Sequence, residues 1–142
     1  MAEIQFGIQM KTQAEFTSDM FKPMLGEEEK TNPGIFGQAL AEWVKQALEA
    51  EGIPVVKVIP EDWGWCVVTM NDRFRLWVGC SNMEDEKNRW RCFVVAELGF
   101  FQKLRKSIDP TPFVAEVVSV LQKVISAEPR ISDVRWVDEN EA

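Results

Sequence analysis

Apolar and polar residues alternate most cleanly between Val55 and Glu97, in four runs: Val55–Ile59 (VVKVI), Trp63–Met70 (WGWCVVTM), Arg73–Cys80 (RFRLWVGC) and Arg89–Glu97 (RWRCFVVAE). Period-two alternation among β-branched and aromatic residues predicts four consecutive strands, and the rest of the chain reads as cover or edge for them. Residues 3–10 alternate as well, with Ile4, Phe6, Ile8 and Met10 on one side, which predicts a half-buried strand. A second strand is expected around Glu15–Phe21 and a last one at Ile131–Val137.

Two stretches change period. Phe36, Leu40, Trp43, Val44, Ala47 and Leu48 recur at three- and four-residue steps. They predict a helix capped by Thr31 or Asn32, with Pro33 in its first turn and Gly52 at its end. Trp43 reads as a core anchor. The preceding LGEEEKTNPG reads as a polar loop whose acidic run, Glu27–Glu29, is solvated. The second helix starts at Asp109-Pro110-Thr111-Pro112, with Thr111 as cap, and continues through FVAEVVSVLQKVISA. It is apolar around most of its circumference and so belongs against a sheet face. Pro129 ends it, and residues 138–142 form a frayed acidic tail. The order is β-β-α-β-β-β-β-α-β. It predicts one α+β domain over residues 1–142, a mostly antiparallel sheet with two helices on one face.

Hairpin arithmetic then sorts the strand residues. With Asn71-Asp72 as a two-residue turn, Val68 pairs with Arg75, Cys66 with Trp77 and Gly64 with Gly79. Matching faces across the next loop sets Trp77 opposite Phe93 and Gly79 opposite Arg91. Trp63, Trp65, Val67, Phe74, Leu76, Val78, Trp90, Cys92 and Val94 then face the helices. The outer face carries Arg73, Arg75, Trp77, Arg91, Phe93 and Val95, beside a shallow hollow floored by Gly64 and Gly79. A slip of one residue would exchange the faces. Aromatic and arginine side chains around a hollow are the composition of a binding hot spot. Arginines stacked on cross-strand aromatics also stabilise a sheet with no ligand at all. The N-terminal hairpin, or the basic loop bearing Lys103, Arg105 and Lys106, is an alternative cover for this face.

Composition narrows the chemistry. The 142 residues include no histidine and no tyrosine, which removes Ser-His-Asp and Cys-His catalysis and imidazole metal sites. Cys66, Cys80 and Cys92 are an odd number at wide spacing, read as small buried hydrophobes rather than a disulfide or zinc framework. Glu61 and Asp62 are adjacent, so they mark a polar turn rather than a carboxylate pair converging on one ligand. Net charge is −7, yet residues 73–106 hold eight basic side chains against four acidic ones. An acidic body with a local basic patch disfavours general nucleic-acid binding and suits a protein partner or a small anion. No apolar run approaches a membrane span, and the N-terminus has no signal-peptide pattern, so a cytoplasmic protein is expected.

The E-D-W-G-W run (Glu61, Asp62, Trp63, Gly64, Trp65), with Gly79-Cys80, resembles small uncharacterised bacterial proteins carrying the same strand motif. That resemblance supplies no activity. The expected function is a non-enzymatic protein-binding module without cofactor or metal, of the immunity-inhibitor or adaptor kind. Its contacts would be Trp77, Phe93, Arg75 and Arg91, with Gly64 and Gly79 as the floor. A secretion-chaperone-like homodimer and a small-anion-binding domain are the alternatives.

Overall fold

The computed structural model describes residues 10–99 and 108–138. The strand expected at 3–10 (Met10 excepted), the basic loop at 103–106 and the last four residues lie outside these bounds. The described chain runs β1 (Gln13–Thr17), α1 (Glu27–Lys30), α2 (Gln38–Ala50), β2 (Lys57–Glu61), β3 (Gly64–Met70), β4 (Arg75–Asn82), β5 (Arg89–Glu97), α3 (Thr111–Ala127) and β6 (Ser132–Val137). Six strands form one antiparallel sheet in the order β2-β3-β4-β5-β1-β6. The α+β class is as expected, with one more helix than the periodicity showed.

Both long helices cover one face. Leu40, Val44 and Leu48 recur every fourth residue along α2, and Val114, Val117, Val118, Leu121 and Ile125 form the buried stripe of α3. They meet Trp65, Val67, Leu76, Val78, Cys80, Trp90, Cys92 and Val94 in a single core. The helix-facing strand residues are therefore those the alternation picked out, with Trp63 the exception. Phe21 gathers Phe16, Trp43 and Trp90 edge-to-face at 5.7–6.4 Å, so Trp43 is a core anchor as expected.

Three local expectations are corrected. β1 covers Gln13–Thr17 rather than 15–21, and it lies inside the sheet between β5 and β6. α2 starts at Gln38, well past Thr31 and Pro33, because Thr31 Oγ1 donates to Ile35 O (2.7 Å) and Gly34 turns the chain at φ 80°. α3 is capped one residue earlier than Thr111, by Pro110, with Asp109 Oδ1 accepting from the Thr111 N–H.

The acidic run is the fourth correction. Glu27 is 1% exposed, not solvated. Its Oε2 accepts the backbone N–H groups of Gly37 and Gln38, both at 2.7 Å, and its Oε1 accepts that of Met24 at 3.0 Å. A carboxylate from outside the helix thus satisfies the orphan donors at the start of α2 and complements the positive end of its dipole. Gly37 is pressed so close to β4 that a Cβ there would stand 2.4 Å from the Cys80 carbonyl oxygen. This contact sets where α2 and the 32–36 loop sit on the sheet.

Candidate functional site

The register places the outer-face residues. β3 and β4 pair Cys66 with Gly79 and Val68 with Trp77, and β4 and β5 pair Gly79 with Phe93, Trp77 with Val95 and Ser81 with Arg91. Each hairpin is displaced by two residues from the arithmetic above. The β3–β4 connection is wider than two residues and a bulge interrupts β3 between Val68 and Met70. A shift of two preserves faces and changes neighbours. Arg75, Trp77, Arg91, Phe93 and Val95 thus stay on the outer face in new pairs, whereas Arg73, in the β3–β4 connection, leaves it for Phe113 of α3.

The hollow expected over the glycines is filled. A Cβ on Gly79 would stand 2.3 Å from Phe93 Cζ, so the phenyl ring lies directly across the bare backbone. Gly64 is not beside Gly79. It sits near Ser81 at φ 153°, where a Cβ would stand 2.5 Å from the Cys80 carbonyl oxygen, so there is room for no side chain. Its unusual backbone closes the tight β2–β3 turn at Asp62-Trp63.

That turn carries the residue the sequence misplaced. Trp63 leaves the strand and folds over the outer face, stacked on Trp77 (centroids 5.6 Å, 28° between planes) and tilted on Phe93 at 5.2 Å. Trp77 and Phe93 meet edge-to-face at 5.8 Å. The three half-buried rings form one contiguous cluster. Its usable signal was Gly64 directly after Asp62-Trp63, a turn rather than a strand start. On the same side of the sheet, Cys66, Val68 and Val137 are 2%, 0% and 2% exposed, and none belongs to the helix-side core. The outer face has an apolar layer of its own.

The arginines flank this cluster instead of gathering round it. Arg75 lies toward Glu97 (3.9 Å), whose Oε1 also accepts Trp77 Nε1–H at 2.9 Å. Arg91 donates from Nε to Ser81 Oγ at 2.9 Å, and its guanidinium carbon lies 5.2 Å from the Phe93 centroid. Ser81, the partner of Arg91, is six residues along β4 from Arg75, roughly 20 Å of strand. Arg89 turns to Thr17 Oγ1 and the Asp133 carbonyl, and Arg73 stacks over Phe113 at 4.7 Å. Among the described residues, the four arginines of the basic stretch are therefore not one patch in space.

Two clefts open at the Trp63 end. One of about 350 Å³ lies between the 32–35 loop and Asp62, Trp63, Asn82, Glu84 and Arg91. Its neighbour, about 430 Å³, runs from Phe21 and Phe36 along the 82–88 loop to Trp90. Asn82 fixes the wall between them. It accepts the Phe36 N–H (2.9 Å), donates its amide to Gly34 O (3.0 Å) and donates its own N–H to Phe36 O (3.0 Å).

All three cysteines are free and buried. Burial raises the Cys66 thiol from 9.0 to about 12 despite the opposing charge of Arg75, and burial beside Cys92 lifts Cys80 well above the ordinary range. Neither supplies a thiolate at neutral pH. Among the described residues no three Cys, Asp or Glu side chains are placed to hold a metal ion, and no helix is long and apolar enough to cross a membrane. No family model, curated protein or solved structure matches this chain.

Proposed function

We propose that the chain is a non-enzymatic protein-binding module, working as an immunity-type inhibitor or an adaptor of a bacterial system, and that the partner docks on the Trp63–Trp77–Phe93 cluster. The observation that carries this reading is the cluster itself: three half-buried rings in mutual contact on the face the helices leave uncovered. Indole and phenyl rings offer large contact area for little conformational entropy, and binding energy concentrates on them. Here they are held before any partner arrives, Trp77 by Glu97, Phe93 by the Gly79 backbone and Trp63 by both rings. Arg75 and Arg91 stand at the two ends as rim contacts. Absence of histidine and the raised thiols support a binding rather than a catalytic role. The wide separation of the arginines favours an extended protein surface over a small anion.

The test is affinity capture with the intact chain, followed by calorimetry on the purified partner with wild type and a Trp77→Ala/Arg91→Ala double variant. A partner bound by the wild type and weakened at least tenfold by the folded variant supports the reading. Undiminished affinity in that variant moves the interface elsewhere and removes it.

A further inference from the structure

We propose that the 350 Å³ cleft beside Trp63 receives an arginine side chain from the bound partner, an inference that rests on the protein-binding reading above. Asp62 and Glu84 both line the cleft and are exposed, and neither carboxylate has a partner among the described residues. The adjoining loop continues with Asp85 and Glu86, and the whole chain carries −7. The cation in the lining, Arg91, already places Nε on Ser81 and its guanidinium against Phe93. With Asp62 and Glu84 set against Arg91, the cleft lining carries a net charge of −1, and the two carboxylates are the groups left to meet an entering cation.

Trp63 selects among cations. Its indole lines the cleft while also packing on Trp77 and Phe93, so an entering side chain meets a ring held in place. A guanidinium is planar, forks to carboxylate oxygens and stacks on aromatic rings, whereas an ammonium offers only a point charge. The walls are rigid enough to discriminate. Asn82 clamps the 34–36 segment, and Asn32 Nδ2 donates to Asp62 O at 3.2 Å, tying the 32–35 loop to the β2–β3 turn. The volume lies at the small end of ligand clefts, which fits one long side chain better than a cofactor. The partner would bury its apolar contacts on the ring cluster and insert the arginine at one end.

The test titrates isotope-labelled protein with three blocked pentapeptides, Gly-Arg-Gly-Arg-Gly and its lysine and glutamate counterparts, following the six indole N–H signals. The arginine peptide is expected to shift the Trp63 indole saturably and more tightly than lysine. Its affinity should fall about fivefold in Asp62→Asn/Glu84→Gln, two exposed isosteric changes that leave the fold intact. Binding should weaken further at high salt. Equal affinity in the double variant, or no shift with the arginine peptide, overturns the proposal. A glutamate peptide that saturates the Trp63 and Trp77 signals instead would overturn it too, yet leave the protein-binding face standing. Loss of partner affinity in Trp77→Ala, a residue outside the cleft lining, tests that face separately.

Discussion

Replacing Glu27 by alanine tests the least expected element of this fold. The side chain is 1% exposed and accepts three backbone N–H groups at 2.7–3.0 Å, two of them from the start of α2. Losing a cap of this kind costs about 1 kcal/mol, and leaving a buried N–H unsatisfied costs about 1–3 kcal/mol more. Because Gly37 is also pressed on β4, it has little freedom to turn toward water. Glu27→Ala is therefore expected to destabilise by about 2–4 kcal/mol, a large part of the 5–15 kcal/mol typical of a domain. Glu27→Gln keeps one acceptor oxygen for three donors and loses the charge, so it should fall roughly halfway. Glu28 supplies the control: it too accepts a backbone N–H at 2.7 Å, from Gly34, but at an exposed site where water can replace it. Glu28→Ala should cost under about 1 kcal/mol. Urea unfolding followed by tryptophan fluorescence and circular dichroism, extrapolated linearly, gives the differences directly. If Glu27→Ala is no worse than Glu28→Ala, the carboxylate does not hold the helix and the account of α2 is wrong.

Three further outcomes are expected. Gly64→Ala should cost more than Gly79→Ala, because the first sets a Cβ against the Cys80 backbone at φ 153° while the second needs only the Phe93 ring to move. Estimates are above about 2 kcal/mol and about 1–3 kcal/mol, and equal urea midpoints would contradict the packing described. Stability should hold up to about pH 9 and fall above it, since the unfolded thiols ionise near 9.0 while folded Cys66 keeps its proton to about 12 and Cys80 is also raised. The unfolded state then binds fewer protons, a loss of about 1.4 kcal/mol per pH unit for each such thiol. Urea unfolding at pH 8, 9 and 10 should show a shallower decline in Cys66→Ala, and an unchanged slope would refute the assignment. Trp77→Phe keeps a ring in the cluster but loses the bond to Glu97, so a double-mutant cycle with Glu97→Ala should return about 1 kcal/mol of coupling. A coupling near zero would mean that Glu97 does not hold the indole.

The division between what was legible and what was not follows the range of each interaction. Period-two alternation located β3, β4 and β5 and sorted nearly all their residues to the correct face. It could not set the register, because a shift by two residues leaves the alternation unchanged; only the wide β3–β4 connection and the bulge after Val68 decide it. Trp63 was assigned by extending a strand pattern through a residue that belongs to a turn, and that one misassignment hid a third of the ring cluster.

The sequence by itself determined the class of fold, the two long helices, the burial of the three cysteines and the placing of Trp77 and Phe93 on one outer face. Each follows from local periodicity, propensity or hydrophobicity. Tertiary structure alone decided that β1 lies between β5 and β6, that Glu27 is buried under α2 and that the arginines disperse. Those outcomes depend on groups brought together from distant parts of the chain. A carboxylate reads as solvent-facing until the helix end it satisfies is folded beside it.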